Sequence, residues 1–252
     1  MLLISLFIQV TQSLNFCLNM KSIKKILPAT RPHMVGNGFH VYPVFGQTAF
    51  TNEISPFLMF DYNAPRKFEA TTRKLGVGQH PHRGLETVTI SFGGEVEHRD
   101  SVGNHDIIRP GDVQWMTAAS GIIHEEFISQ EFAAKGGFFE MAQLWVNLPA
   151  KDKMSPPRYQ PILNNEIPVV QLADDAGEVR VIAGAFDETP GKAMTFSPVN
   201  VWDMRIAAGK TITVTIPSGH NTIVFVRSGA LEVEGGDGKT GAIAAAQAAI
   251  LT

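Results

Sequence analysis

The sequence contains little of what stabilises or targets several common classes of protein. Its 252 residues include a single cysteine, Cys17, so an internal disulfide framework is excluded and a reducing compartment is favoured. The net charge of −3 provides no basic surplus for direct binding of nucleic acid. The apolar run at residues 2–10 is too short to span a bilayer. We therefore expect a cytoplasmic protein, or also a nuclear one in a eukaryote, with neither a membrane nor nucleic acid as a direct partner.

Helical periodicity is also missing, and turn-forming residues are plentiful, with 23 glycines and 15 prolines. Residues 86–92 alternate β-branched and polar side chains and are followed by Gly93 and Gly94, which is typical of a strand that ends in a turn. Pro110-Gly111-Asp112 is a tight-turn signature. Strand patterns resume after residue 168 in a similar order. The sequence therefore predicts an all-β chain of two tandem antiparallel β-barrels.

Composition sets the expected domain boundaries. We interpret residues 1–19 as an upstream extension or a targeting segment, because the nearby lysines follow the apolar run instead of preceding it. Residues 20–150 are predicted as the first domain, 151–168 as a proline-rich linker and 169–252 as the second domain. Residues 211–217 alternate strongly and are predicted as a strand. The chain stops where the last strands of the second barrel should begin, so we expect that barrel to be incomplete.

Two short segments carry the chemistry. Because side chains alternate along a strand, His80, His82 and Glu86 are predicted to share one face, and His124 and Glu126 are predicted to share another. If both strands line one cavity, their imidazoles and carboxylates converge on a site for iron, nickel, copper or manganese. Spacing permits either glutamate as the carboxylate ligand and does not decide between them.

The remaining histidines lack such partners. We predict structural or solvent-facing positions for His98, His105 and His220, while His33 and His40 give no signal. The second domain has no His-x-His pair, so we expect it to hold no metal.

Longer strings around the two segments resemble the pirin family, whose members are bicupins. The strings are His80-Pro-His-Arg-Gly-Leu-Glu-Thr-Val88, Pro110-Gly-Asp-Val-Gln-Trp-Met-Thr-Ala118 and Gly121-Ile-Ile-His124-x-Glu126. The first string also matches the first cupin motif, apart from a displaced leading glycine, since residue 74 is lysine. The similarity runs from about residue 41 to the end of the chain, with its strongest motifs in the first domain.

The resemblance implies two cupin-type barrels and a metal held by His80, His82, His124 and Glu126. The ordinary cupin pattern would instead select Glu86, so we take Glu126 as the ligand and Glu86 as a neighbouring or reserve group. The implied cofactor is one divalent transition metal per chain. We expect Fe(II), with nickel, copper, manganese, cobalt and zinc as alternatives.

Two activities follow from the same resemblance. Some pirin-like proteins resemble quercetin 2,3-dioxygenases, which open a flavonol ring with O2, so we expect a flavonol-like substrate and Glu126 or Glu86 as the proton acceptor. The alternative is a non-catalytic, iron-dependent cofactor of a transcription regulator that acts as a redox sensor. The candidates for the pocket wall are Gln114, Trp115, Met116 and Phe60, and a plain core position is an equal alternative for each of them.

Overall fold

The computed structural model describes residues 2–9, 20–46, 51–236 and 238–252. Within these residues the chain forms 22 strands and two short α-helices, α1 (Thr51–Ile54) and α2 (Gln130–Lys135). The strand pairs are antiparallel. The prediction of an all-β antiparallel chain is therefore confirmed. No helix in the described ranges is long and apolar enough to cross a membrane.

The chain divides into two units that interleave along the sequence. The histidine unit comprises Thr30–Ala49 and Phe57–Asn164, and the flanking unit comprises Met1–Ala29, Phe50–Pro56 and Asn165–Thr252. This division differs from the predicted boundaries 20–150 and 169–252, because residues 20–29 and 50–56 belong to the flanking unit. A single cut in the chain cannot separate the two units.

The histidine unit contains two sheets. The larger has the order β13-β10-β7-β12-β5-β4-β3, and the smaller has the order β6-β11-β8-β9. Their strands are β3 (His33–Val35), β4 (Phe39–Phe45), β5 (Phe57–Phe68), β6 (Gly76–His82), β7 (Leu85–Gly93), β8 (Val96–Asp100), β9 (His105–Ile108), β10 (Val113–Thr117), β11 (Ile122–Ile128), β12 (Gly137–Asn147) and β13 (Arg158–Ile162).

An apolar cluster forms part of the core of this unit. Phe39, Phe68 and Phe139 are buried, and their rings pack at centroid distances of 6.0–6.2 Å. Ser129 caps α2 by accepting a hydrogen bond from the backbone N–H of Phe132. The capped helix follows β11 directly, so β11 ends at a fixed point.

The residues interpreted as a proline-rich linker are partly strand. Residues 158–162 form β13, which pairs with β10 at the edge of the larger sheet, and Pro161 lies opposite Gln114. Proline has no backbone N–H to donate, and a strand with one free edge tolerates that loss. The proline count was therefore misleading for this part of the predicted linker 151–168.

The flanking unit is built on one sheet with the order β14-β15-β18-β1-β19-β22-β2, accompanied by the two-stranded sheets β16-β17 and β20-β21. Its strands are β1 (Leu2–Gln9), β2 (Ile23–Leu27), β14 (Val169–Leu172), β15 (Gly177–Ala183), β16 (Ala185–Phe186), β17 (Thr189–Pro190), β18 (Val199–Ile206), β19 (Thr222–Ser228), β20 (Ala230–Glu234), β21 (Thr240–Ala244) and β22 (Gln247–Leu251).

The start of the chain contributes to this sheet. The backbone of β1 pairs with β18 on one side and with β19 on the other. Residues 2–9 are therefore part of this sheet, which differs from the interpretation of 1–19 as an extension upstream of the domains. Residues 10–19 lie outside the described ranges, and a targeting role for the segment stays a prediction.

The predicted strand at residues 211–217 is not observed. Ile212, Val214 and Ile216 do pack against the apolar cluster of the flanking unit, as their alternation predicts. However, the described backbone there forms no ladder. Alternation of apolar and polar residues indicates that one face of a segment is buried. It does not indicate whether a neighbouring strand pairs with that segment.

Candidate metal centre

The two histidine segments form neighbouring strands. In the β6–β11 pair His80 lies opposite His124, and His82 lies opposite Ile122. A register irregularity follows His124, so Glu126 lies opposite Val77. Residues directly opposite in an antiparallel pair project from the same face. The pairing therefore gathers side chains from both segments on one face of the smaller sheet.

Three histidines converge on this face. Nitrogen atoms of His80, His82 and His124 all lie within 4.8 Å of one another. Their ring centroids are separated by 4.9 Å for His80–His82, 4.4 Å for His80–His124 and 4.9 Å for His82–His124. Among the described residues, no other group of three or more His, Cys, Asp or Glu side chains has the spacing that a metal ion requires. The predicted convergence of the three histidines is therefore observed.

Glu126 lies beside the triad and is buried. Gln143 Nε2 donates to both carboxylate oxygens, at 3.3 Å and 3.1 Å, and the Thr89 hydroxyl lies 3.4 Å from Oε1. Burial raises the pKa of Glu126, but the electrostatic interaction with His124 and the hydrogen bond from Gln143 outweigh it and lower the pKa below its usual value. The carboxyl group is therefore ionised and available to a cation.

Glu86 does not share this face, which corrects the parity argument. The chain turns at Gly84, whose φ of +73° favours glycine, so β6 and β7 are separate strands in separate sheets. The Glu86 carboxylate accepts a 2.6 Å hydrogen bond from Thr117. Burial raises the pKa of Glu86, and that hydrogen bond offsets only part of the rise. Counting alternate positions through Gly84 gave the wrong face.

The register of the larger sheet sorts the predicted pocket walls. Gln114 lies opposite Thr89, the residue that contacts Glu126, so Gln114 faces the site. Met116 lies opposite Thr87, two residues along from Thr89, and therefore faces the same side. Trp115 falls between these two positions and points away.

Phe60 also points away from the site. It pairs with Leu144, and Leu144 pairs with Val88. Val88 alternates with Thr87 and Thr89, so this row lies on the opposite face of the sheet. The register agrees with pocket-wall positions for Gln114 and Met116, whereas Trp115 and Phe60 take the alternative, core positions.

Several residues at the site were missed or misread from the sequence. Gln143 and Thr89 hold Glu126, and the Trp145 ring lies 5.0 Å from that of His82. His98 was expected to be structural or solvent-facing, and its fully buried ring lies 5.2 Å from that of His124. A signal for His98 existed, because His98-x-Asp100 repeats the spacing of His124-x-Glu126 on the paired strand.

The electrostatics of the triad favour neutral imidazoles. Burial and the neighbouring His80 lower the pKa of His82 to about 4, against a smaller opposing effect of Glu126. Burial lowers the pKa of His124 to about 4 as well, with Glu126 again opposing. Neutral imidazole is the form that binds metal ions. At neutral pH protons therefore do not compete at these two rings.

Comparison with known proteins gives a consistent family. Residues 38–146 match the Pirin family. A Pseudomonas aeruginosa protein named "Putative quercetin 2,3-dioxygenase" is 52% identical over 214 residues, which cover 85% of this chain and 75% of that protein. Human Pirin is 35% identical over 213 residues, which cover 83% and 69% respectively.

A solved structure supports the fold over nearly the whole chain. The crystal structure of quercetin 2,3-dioxygenase from Acinetobacter baumannii superimposes with a TM-score of 0.87 and 47% sequence identity. The match covers 92% of this chain and 80% of that one. The predicted cupin-type, two-unit β fold is therefore confirmed.

Proposed function

We propose, from the premise that this chain belongs to the pirin family, that it is a metal-dependent oxidoreductase of the quercetin 2,3-dioxygenase type. Its substrates would be a flavonol-like small molecule and O2. The names of its relatives in Pseudomonas and Acinetobacter support this activity. The observation that carries the proposal is the convergence of His80, His82 and His124.

The donor set fits a divalent transition metal. His124 Nε2 is buried and has no hydrogen-bond partner among the described atoms, which is costly unless a ligand from outside the chain occupies it. His80 Nδ1 lies 2.8 Å from the Gly78 carbonyl oxygen, so Nε2 of that ring is also free to coordinate. We assign His80, His82, His124 and Glu126 as the ligands.

The choice of Glu126 over Glu86 rests on contacts and faces. Glu126 interacts electrostatically with His82 and His124, whereas Glu86 bonds to Thr117 on the other face of its sheet. Three neutral imidazoles and one carboxylate would leave a divalent ion with a net charge of about +1, counting formal charges on the deprotonated ligands. Such a site favours an anionic oxygen donor, for which a flavonol 3-hydroxyl is suited.

Individual residues near the triad would have different roles in this reaction. A bound metal would lower the pKa of a hydroxyl group that it coordinates. Glu126 would accept the proton of the flavonol 3-hydroxyl, and Gln143 and Thr89 would keep the carboxylate in place. Trp145, beside His82, would help to exclude water. In the overall reaction O2 is incorporated, the flavonol ring opens and carbon monoxide leaves.

The proposal also concerns which metal is bound and which role the protein has in the cell. Mixed imidazole and carboxylate ligation suits Fe(II), which we take first, as well as nickel, copper, manganese, cobalt and zinc. The names of the relatives described above mention no transcription regulator, and that partner gains no support. A cytoplasmic location stays a prediction.

The experiment compares the wild type with His82→Ala and with His220→Ala, a substitution of a buried histidine in the flanking unit. Each protein is purified without oxygen and loaded separately with each metal. Metal content, quercetin-dependent O2 uptake and carbon monoxide release are then measured. We expect one metal per chain and turnover in the wild type and in His220→Ala, and neither in His82→Ala.

Two results would contradict the proposal. Stoichiometric metal without O2 uptake under any of the six metals would remove the dioxygenase activity and leave a binding role. Equal metal content in the wild type and His82→Ala would remove the site itself.

A further inference from the structure

A buried histidine lies directly behind the triad. His98 on β8 is fully buried, and its ring stacks on Tyr159 at 4.8 Å. Its Nδ1 lies 3.3 Å from Nδ1 of His124, and its Nε2 lies 3.2 Å from Oδ2 of Asp100. We infer that Asp100 and His98 fix the tautomer of His124 and so select Nε2 as its metal-binding atom. This inference rests on the metal site proposed above.

Asp100 lies next to His98 on β8, and an ionised carboxylate accepts hydrogen bonds but donates none. Oδ1 accepts from the backbone N–H groups of Val102 and Asn104, and Oδ2 accepts from the Asn104 side chain at 2.8 Å. These donors stabilise the anion. His98 must therefore present a proton at Nε2, the nitrogen that faces Asp100.

A neutral imidazole carries one N–H and one lone pair. With the proton of His98 at Nε2, its Nδ1 holds the lone pair. The neighbouring contact agrees, because the amide Nε2 of Gln114 lies 3.0 Å from that same Nδ1 and is a donor, which shares the lone pair with the group on β11. His98 therefore presents an acceptor to whatever faces it from β11.

His124 is the group that faces it. Two lone pairs 3.3 Å apart in a buried place would repel each other, so His124 Nδ1 must carry the proton that lies between the rings. Its Nε2 is then left with a bare lone pair. That atom is the buried nitrogen without a hydrogen-bond partner among the described atoms. The same hydrogen bond also fixes the rotation of the ring.

The two opposed histidines of the triad are thus oriented by different means. His80 Nδ1 lies against a backbone carbonyl, that of Gly78, which no substitution removes. His124 depends on a side chain, so its orientation can be changed by mutation. His98 is a positioning residue, since it acts on the metal through His124.

The first test needs no metal. Nitrogen-15 NMR of the histidine rings in metal-free protein identifies the protonated nitrogen of each ring. We expect a proton on Nδ1 and none on Nε2 for His124, and the reverse for His98. A proton on Nε2 of His124 would overturn the inference.

The second test compares His98→Phe with His98→Asn by zinc titration. Phenylalanine keeps the ring volume and removes the acceptor, and we expect a loss of zinc affinity of about 10- to 100-fold. Asparagine can place its Oδ1 near the position of the lost Nδ1, and we expect it to restore most of the affinity. The control is Tyr159→Phe, which keeps the stacked ring, removes the hydroxyl contact to Asp106, and should leave the affinity unchanged.

The outcomes separate this inference from the proposed function. Wild-type zinc affinity in His98→Phe, or equal losses in His98→Phe and His98→Asn, would overturn the inference and leave the metal site standing. Absence of a defined zinc site in the wild type would overturn the proposed function, while NMR would still test the tautomer. If His98→Phe does not fold, Asp100→Asn replaces it, and an unchanged ring protonation pattern in that variant would overturn the inference.

Discussion

The two units are built from similar antiparallel sheets and bury different polar groups. In the histidine unit the buried polar side chains include His98, His124 and Glu126, which lie at the triad. In the flanking unit they include Arg180 and Asp203, which form a 2.8 Å ion pair on adjacent strands. One polar cluster leaves a nitrogen free for a ligand, and the other joins two opposite charges.

A seven-stranded antiparallel sheet is present in both units. A seven-stranded antiparallel sheet alone is therefore not enough to make the site. The three histidines lie on β6 and β11, in the four-stranded sheet of the histidine unit, and the described part of the flanking unit has no four-stranded sheet. Among the described residues of the flanking unit, no three His, Cys, Asp or Glu side chains lie close enough together to bind one metal ion. That this unit carries no metal stays a prediction.

The largest expected change in metal affinity comes from removing a proposed ligand in the histidine unit, and the control removes a histidine in the flanking unit. His124→Ala should lower metal affinity by at least about 100-fold, more than the loss of an outer hydrogen bond would. His220→Ala should leave the affinity unchanged. Metal at 100 times Kd should stabilise the wild type by about 2.7 kcal/mol and should not stabilise His124→Ala. Isothermal titration and thermal unfolding measure both quantities, and equal affinity in the two variants would erase the contrast.

The next effect belongs to the flanking unit. Asp203→Ala removes the buried ion-pair partner of Arg180, and such a loss costs about 3–5 kcal/mol. Denaturant unfolding should show this loss, while the zinc affinity of the folded protein should be retained. A matched exposed pair, Lys192–Glu166, should contribute at most about 1 kcal/mol when Glu166 is replaced by alanine. Similar losses from the two variants would contradict the role of burial.

A smaller effect is expected for Gln143, which donates to both oxygens of Glu126. Gln143→Leu should lower metal affinity by about 10-fold, because the carboxylate loses its orienting donor. Gln171→Leu, on β14 of the flanking unit, is the control and should not change the affinity. Metal titration measures the affinity of both variants. An unchanged affinity in Gln143→Leu would mean that the hydrogen bonds from Gln143 do not contribute to metal binding by Glu126.

The last effect concerns the dependence of stability on pH. Burial and the nearby Lys21 lower the pKa of His220 to about 4, while an unfolded histidine titrates near 6.5. Between these values the unfolded state binds more protons, so stability is full above about pH 6.5 and falls as the pH drops toward 4. His220→Asn should weaken this dependence in the metal-free protein. Urea unfolding at pH 7 and pH 5 measures it, and an unchanged difference between the two pH values would contradict the assignment.

Much of the triad could be predicted because parity within one strand is local information. His80 and His82 lie on β6, and His124 and Glu126 lie on β11, so alternation placed each pair correctly. Glu86 failed because Gly84 ends one strand and the next belongs to another sheet. Parity carries no information across such a turn.

Other features depend on partners that a single sequence does not specify. The spacing of His98-x-Asp100 repeats that of His124-x-Glu126, but the position of His98 behind the triad depends on the pairing of β8 with β11, which the sequence does not specify. Pro161 was interpreted as part of a linker. A proline is tolerated in β13 because that strand lies at the edge of its sheet, which the sequence alone does not show. The alternation at residues 211–217 predicted burial correctly and pairing wrongly. In each case the missing information was the neighbouring strand.

The interleaving of the two units has a consequence for the order of folding. In the flanking unit Ile23 on β2 pairs with Leu251 on β22, so 251 − 23 = 228 positions separate the partners. The sheets of the histidine unit lie wholly within Thr30–Asn164. During synthesis the histidine unit can therefore assemble before the last strand of the flanking unit, β22, has been made. Closing so long a loop makes the pairing of β2 with β22 a late and slow event.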